Sequence, residues 1–337
     1  MPCRRVYNSG MNNLKKIMIA FVLSCTLLEG EEYTFGDGFQ LGDSPVIIGG
    51  YLSSVYGIEK DSRVFDIDDL ALLAYGEFDQ YDFLAEFEAT DLYRKEYGAH
   101  ADESSSSTFH IERLYGDYYF GENEQLRVGK FNSDVGFWNQ MPINVLRDTT
   151  SSPNLVKDFF PKLTTGIHYE SRQPDRAIRR LSLTLQPTGD IDREYNNFTV
   201  DRHYAFACDV GEKETLWRFG GGYFRYLPAH EALYALGAFR MEKKGWDFLF
   251  ESIVRRDTHD DKLSYDVYAQ GVWHWMAAHD AILRMEVEKA PLTRLHDTTV
   301  VAGYTYRPLS NVALKGEYEA HQESRLNRWL FSLSLLF

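Results

Sequence analysis

Cysteine is scarce in this chain of 337 residues, which contains three. Cys3 and Cys25 fall in a segment that we predict to be removed, so Cys208 has no partner for an internal disulfide. Long apolar runs are also missing, since none approaches the ~20 residues of a transmembrane helix. The mean hydropathy is −0.39. These features exclude a disulfide-stapled fold and a helical membrane protein.

The sequence motifs of common enzymes are missing as well. There is no G-x-S-x-G, H-E-x-x-H, phosphate-binding Gly-Lys loop or dinucleotide fingerprint, and the ten histidines are scattered. The stretch 257–261 offers oxygen ligands that could bind a divalent cation, although a solvated acidic loop is the simpler interpretation. The formal net charge of −14 argues against nucleic-acid binding. We therefore predict no enzyme, no cofactor and no metal site.

The segment 1–30 is typical of a signal peptide. Lys15 and Lys16 supply its positive charge, and the apolar stretch 17–28 follows them. Cleavage after Gly30 would release the mature chain, which predicts export from the cytoplasm.

Two details of this N-terminal segment remain open. Met11 is a candidate for the true start, because the charged and apolar regions follow it directly. Residues 22–25, which end at Cys25, match the lipoprotein signal pattern poorly. Lipidation of Cys25 is kept as an alternative.

Aromatic residues are abundant, with 22 Tyr and 22 Phe, as is normal for a β-barrel with aromatic girdles. From Val46 on, the chain divides into sixteen segments of alternating hydrophobicity. In one of them Leu181, Leu183 and Leu185 share a face opposite to Arg180. Because sixteen strands enclose an interior too wide for side chains to fill, the charged faces should line water. We predict an all-β fold, a transmembrane antiparallel β-barrel of about 16 strands.

The breaks between the segments alternate in length. Even-numbered segments are followed by tight polar turns, whereas odd-numbered segments tend to be followed by longer loops, such as 132–162 and 187–202. Short periplasmic turns and longer external loops are the pattern of outer-membrane barrels. We expect a short N-terminal segment over residues 31–45 and a barrel domain over residues 46–337, with both termini in the periplasm.

The last segment, 327–337, has the clearest alternation. Trp329, Phe331 and Leu333 share one face with the terminal Phe337. A soluble edge strand this apolar would invite aggregation, whereas a barrel strand needs such a face toward lipid. The closing Phe337 resembles the C-terminal aromatic signature of bacterial outer-membrane barrels. That resemblance implies recognition of Phe337 by the barrel assembly machinery.

The long loop 132–162 follows the fifth segment and shows no strand alternation. Loops of this length in a compact domain are usually functional. In this architecture the chain resembles sixteen-stranded trimeric porins, whose third external loop folds into the barrel and narrows it. The resemblance implies a homotrimer in outer-membrane lipid and lipopolysaccharide, with an inward-folded third external loop.

The loop and the predicted inward faces supply candidate pore residues. A pore selects by its radius and by the charges that line it. The candidates for the constriction are Asp134, Arg147, Asp148, Lys157 and Asp158, although an ion pair that anchors the loop is an equal interpretation of Arg147 and Asp148. The candidates for the pore wall are Arg127, Arg180, Arg218, Arg240, Glu251, Arg284, Glu286 and Glu317.

We therefore expect an outer-membrane porin for passive diffusion of small hydrophilic solutes. The small acidic excess on the inward faces predicts a weak preference for cations. The alternative is an anion-selective or phosphate-selective porin, because the stretch 127–131 followed by Gly136 is similar to a segment of phosphate-selective porins. An outer-membrane barrel enzyme and a barrel with a plugged lumen are further alternatives.

Overall fold

The computed structural model describes residues 38–98, 103–105, 107–226, 230–259, 262–291, 293 and 296–337. The predicted signal peptide, with Cys25 and the cleavage point after Gly30, lies outside the described residues. So do Asp260 and Asp261, the end of the candidate cation-binding stretch.

Long antiparallel strands form nearly all of the described chain. They are β1 (Val46–Ile58), β2 (Ser62–Glu77), β3 (Tyr81–Gly98), β4 (Thr108–Tyr119), β5 (Glu124–Asn132), β6 (Leu163–Arg172), β7 (Ile178–Gln186), β8 (Val200–Glu212), β9 (Thr215–Tyr226), β10 (His230–Lys243), β11 (Trp246–Asp257), β12 (Lys262–Met276), β13 (His279–Lys289), β14 (His296–Leu309), β15 (Val312–His321) and β16 (Arg328–Leu336). Each of the sixteen predicted segments coincides with one of these strands, so the predicted strand number is confirmed within the described residues.

The strands pair with their chain neighbours, and the sheet closes on itself. Strand β16 pairs antiparallel with β1, from Trp329 opposite Ile58 to Leu336 opposite Tyr51. Two strands of two residues add to the wall: Phe39–Gln40 pairs with β1, and Glu103–Ser104 pairs with β3. Closure removes the exposed sheet edges, and the predicted antiparallel barrel is confirmed.

The connections alternate in length as predicted. The turn between β10 and β11 has two residues, and Gly245 in it has a φ of +87°, a left-handed conformation that glycine adopts without strain. The connections after β5 and β7 are long and span residues 133–162 and 187–199. We call these two segments the third loop and the fourth loop.

The outward face of the wall is apolar. Leu181, Leu183 and Leu185 are each about half exposed, as expected for side chains that face lipid. Near the short turns, the Trp246 ring stacks on Trp273 with centroids 5.6 Å apart. These two rings lie next to each other at the rim of the short turns.

Helical structure is confined to short turns. In the third loop these are Trp138–Gln140, Asn144–Leu146 and the α-helix Leu155–Asp158, and Ser324–Leu326 lies between β15 and β16. Within the described residues, no helix is long and apolar enough to cross a membrane.

Candidate functional site: the third loop and the barrel lumen

Apolar side chains of the third loop pack against both sides of the barrel interior. Trp138 is 1% exposed and lies edge-on to Tyr268 of β12, with ring centroids 6.5 Å apart. Ile143 and Val145 are buried in a second cluster that includes Tyr51 of β1. The third loop therefore lies against the inward faces of the wall and reaches from β12 to β1.

The start of the third loop is held by a network of guanidinium and carboxylate groups. Arg180 donates from Nη1 and Nη2 to the two oxygens of Asp134, at 2.8 and 2.9 Å. Arg218 lies 3.4 Å from Asp134 and binds Asp209 of β8 at 2.7 and 2.8 Å. Bidentate pairs of this kind are strong and directional. Asp134 is 8% exposed, so its carboxylate serves as an anchor to β7 and β9.

The ionisation of Asp134 follows from the same contacts. Burial raises the pKa of the Asp134 carboxyl, but Arg218 and Arg180 outweigh burial and hold that pKa below its usual range. Asp134 is therefore charged at every physiological pH, and the anchor does not depend on a protonation change.

Glu251 of β11 holds the next residues of the loop. Its carboxylate accepts hydrogen bonds from the main-chain N–H groups of Phe137 and Trp138. The Tyr268 hydroxyl donates to the other carboxylate oxygen at 2.6 Å. The buried carboxylate is thus satisfied by the loop backbone, as buried charges require.

The middle of the loop is held by three further wall residues. Glu317 of β15 accepts from the N–H groups of Thr150 and Ser151, at 3.1 and 2.8 Å. Arg284 of β13 donates to the carbonyl and the hydroxyl of Ser151, at 2.9 and 2.8 Å. Glu286 accepts from the N–H of Asn154. Six of the eight predicted wall residues therefore bind the third loop. Arg180 binds the side chain of Asp134. The other five are Arg218, Glu251, Arg284, Glu286 and Glu317.

The remaining two predicted wall residues make contacts of their own. Arg127 donates to both oxygens of Asp117 at 2.8 Å and lies over the Tyr115 ring at 3.9 Å. Arg240 lies 3.2 Å from Glu242, and its guanidinium is 5.0 Å from the centre of the Phe137 ring.

The other predicted constriction residues have different environments. Asp148 lies 3.5 Å from Arg307 of β14, and the Asp158 carbonyl accepts from Arg255 at 2.7 Å. Arg147 donates from Nε to the Met141 carbonyl at 2.6 Å. Lys157 is exposed, and its Nζ lies 2.9 Å from Asn154 Oδ1.

The fourth loop clasps the third loop, a feature that the sequence analysis missed. Asn197 accepts from the N–H of Lys162 at 2.8 Å and donates to the carbonyls of Lys157 and Phe160, both at 2.8 Å. Asn196 binds both main-chain groups of Leu163. An asparagine side chain has both a carbonyl acceptor and an NH₂ donor, so it can bind main-chain N–H and C=O groups at the same time. The bound groups lie about 35 residues away in the sequence, so no local sequence pattern predicts these contacts.

A carboxylate cluster on β3 and β4 was also missed. Tyr51 donates to Glu112 at 2.9 Å and lies 3.3 Å from Glu88. Tyr195 of the fourth loop binds Glu88, and Arg113 pairs with Glu86. Glu112 and Arg113 are adjacent in sequence, so strict alternation would place only one of them on the inward face. A register shift between Glu86 and Phe87 on the paired strand interrupts the alternation here.

Comparison with known proteins places the fold. No family model matches the sequence, and no curated protein is similar to it in sequence. Solved structures are similar in fold. In-vitro folded OmpT of Vibrio cholerae, in its trimer form, gives a TM-score of 0.62 at 10% identity, covering 87% of this chain and 99% of that chain.

Two further porin structures agree with this comparison. OmpF of Salmonella typhi, in complex with daunomycin, gives a TM-score of 0.61 at 8% identity, covering 87% of this chain and 97% of that chain. An anion-selective porin from Comamonas acidovorans gives 0.60 at 8% identity, covering 87% and 99%. At such identities the likeness concerns the fold. This chain has the closed sixteen-stranded barrel fold of bacterial outer-membrane porins.

Proposed function

We propose that this protein is an outer-membrane porin that passes small hydrophilic solutes by passive diffusion, without enzymatic activity and without a cofactor. The observation that carries the proposal is the position of the third loop. Its anchors lie on the inward faces of β7, β9, β11, β13 and β15. A sixteen-stranded wall encloses an aqueous space, and a loop fixed inside that space reduces its cross-section.

In this proposal the loop and the wall share the selection of solutes. The loop sets the radius, and Arg147, Asp148, Lys157 and Asp158 contribute charges at the narrowest section, while Asp134 anchors the loop. A pore selects by radius and by the field across its constriction. The extensive anchoring supports a constant radius rather than a loop that opens and closes.

Single-channel recording in a planar bilayer tests this function directly. The purified protein should give long-lived steps of constant conductance in KCl. Replacing residues 139–153 by a short Gly/Ser linker should raise the conductance, because the wall alone encloses a wider channel. A matched control replaces the same residues by a Gly/Ser segment of equal length. A folded wild-type barrel without conductance would instead support a plugged or enzymatic barrel.

The assembly is part of the proposal. We expect a homotrimer in outer-membrane lipid and lipopolysaccharide, in line with the trimer form of the V. cholerae OmpT structure. Recognition of Phe337 by the barrel assembly machinery would deliver it there. Cross-linking in native membranes should give a trimer band, and a monomer at all cross-linker concentrations would contradict the trimer.

An anion-selective porin is the second candidate. Three basic residues of the third loop, Arg147, Lys157 and Lys162, form no ion pair in the described part of the chain. The reversal potential across a salt gradient separates the two candidates.

A further inference from the structure

A small cavity beside the third loop is lined by basic side chains. It measures about 230 Å³, and Arg147, Lys157 and Lys162 line it together with Trp138 and Asn197. Drug-sized ligands occupy roughly 300–1,000 Å³, so this cavity suits a smaller molecule or one charged group of a larger one.

The three basic groups differ from Arg180 and Arg218 in that they pair with no carboxylate in the described part of the chain. Arg180 and Arg218 are each surrounded by two or more carboxylates. In the described part of the chain, no ion pair joins Arg147, Lys157 or Lys162 to a carboxylate. This contrast is informative in a chain with 50 acidic and 36 basic residues.

Donor groups around the cavity also remain available. A guanidinium has five N–H donors, and Arg147 uses Nε on Met141, while its Nη1 lies 3.5 Å from Ser152 Oγ. Trp138 is 1% exposed, and its indole Nε1 is buried without a hydrogen-bond partner. A buried donor without an acceptor costs stability.

An anion supplies acceptors for these donors. Oxygen atoms of a carboxylate or phosphate accept from a guanidinium in a bidentate geometry and from ammonium groups as point charges. Glu112 and Asp69 act electrostatically on Arg147, and Glu112 also acts on Lys162. Both carboxylates belong to wall strands, β4 and β2, outside the cavity lining. The two carboxylates would repel an anion from their side of the lumen. The anion would then bind at the basic cavity.

We propose that Arg147, Lys157 and Lys162 form a binding subsite for the carboxylate or phosphate group of a small anionic solute. This inference rests on the proposed porin function and specifies a class of solute for it. Asn197 lines the same cavity and binds main-chain groups of Lys157 and Lys162. It therefore holds the backbone of these two basic residues together.

Inhibition of ion current by small anions tests the subsite. Single channels are recorded in about 0.1 M KCl, where charges are screened over ~10 Å. Potassium phosphate or potassium citrate is then added, with extra KCl of equal ionic strength as the salt control. We expect a saturable decrease of current with phosphate or citrate that the matched KCl does not produce. Phosphate alone would assign a phosphate-type solute, and citrate alone a carboxylate-type solute.

Variants then locate the effect. Arg147→Gln and Lys162→Gln should each raise the half-inhibiting anion concentration about tenfold, as expected for one charge-assisted contact. Lys157→Gln, at an exposed side chain, provides a variant whose folding is not in question. Lys213→Gln removes one charge at the exposed turn between β8 and β9 and should leave inhibition unchanged.

The outcomes separate this inference from the porin proposal. A channel that conducts KCl but shows no saturable inhibition by phosphate or by citrate overturns the subsite and leaves the porin function standing. Inhibition that is equal in wild type and in all three lumen variants also overturns it. A barrel without KCl conductance overturns the porin function itself.

Discussion

A Cβ atom at Gly136 would lie 2.7 Å from Oε1 of Glu251, closer than real Cβ contacts allow. Gly136 also has a φ of +70°, which L side chains rarely adopt. The glycine therefore lets the loop backbone approach the wall until the next two N–H groups reach the Glu251 carboxylate. This contact between a loop glycine and a wall carboxylate sets the depth of the third loop in the lumen.

The variant Gly136→Ala should weaken this contact. The added Cβ has to displace Glu251, and the positive φ costs about 1–2 kcal/mol for a residue other than glycine. We expect a lower free energy of unfolding in urea and larger current fluctuations in single-channel records. Gly271→Ala is the matched control, since a Cβ there meets no atom within 4 Å. Equal fluctuations in both variants would contradict the role of Gly136.

The second prediction concerns the ion network at Asp134. Asp134→Asn removes the charge between Arg180 and Arg218, while Asp209 still contacts both guanidinium groups and Glu170 still contacts Arg180. We expect a loss of about 1–3 kcal/mol in the free energy of unfolding, typical of a buried charged hydrogen bond. Asp175→Asn, in the exposed turn before β7, should change stability little.

The pH dependence of this difference follows from the lowered pKa of Asp134. A carboxyl whose pKa is lower in the folded state stabilises the fold above its unfolded pKa of ~3.9. That stabilisation is lost as the pH falls through the folded pKa. The stability difference between wild type and Asp134→Asn should therefore stay constant from about pH 7 to 5. A stability difference that shrinks between pH 7 and pH 5 would mean that Asp134 is not held ionised in the folded state.

The wall could be predicted from the sequence far better than the site. Period-two alternation depends on neighbours along the strand, and it placed the last segment, 327–337, within one residue of both ends of β16. Gly136 approaches Glu251, which is 115 residues away in the sequence. Asn197 binds groups that are 35 to 41 residues away. Nothing in their local sequence reveals such partners.

Wall charges illustrate the same limit. Arg218 and Glu251 were predicted to face inward because they alternate with apolar residues, and both do lie among the inward-facing residues that contact the third loop. Whether an inward charge meets water or a loop backbone depends on how the loop folds. The alternation of a strand carries no information on that.

The third prediction concerns the clasp formed by the fourth loop. Asn197→Ala removes hydrogen bonds to the backbone of residues 157, 160 and 162. Because these groups hold the end of the third loop, we expect a larger and less uniform conductance. Thr199→Ala, at an exposed position in the same loop, is the control. Uniform steps of wild-type size in Asn197→Ala would show that the third loop holds its position without the clasp.

The fourth prediction concerns Phe337. Its main chain pairs with Gly50 of β1, with hydrogen bonds of 2.8 and 2.9 Å. If the assembly machinery recognises the terminal aromatic residue, deletion of Phe337 should lower the amount of barrel in the outer membrane. Phe331→Ala removes an exposed aromatic ring from β16 and should have a smaller effect. Normal levels of the deletion variant would argue against this recognition.

The last prediction concerns ion selectivity, where two sets of charges oppose each other. Glu112 and Asp69 lie on the wall strands β4 and β2, whereas Arg147 and Lys162 of the third loop line the small cavity. The chain carries a net charge of −14, so we expect weak cation selectivity at low salt. Screening over ~10 Å at 0.1 M salt keeps the preference small.

Reversal potentials across a KCl gradient measure this balance. Arg147→Gln removes a positive charge from the pore lining and should shift the reversal potential toward that of a more cation-selective channel. Lys213→Gln removes an equal charge at an exposed turn and should shift it less, because its field is screened before it reaches the constriction. A clearly anion-selective wild type would mean that Arg147, Lys157 and Lys162 dominate the narrowest section, and it would make the anion-selective porin the better assignment.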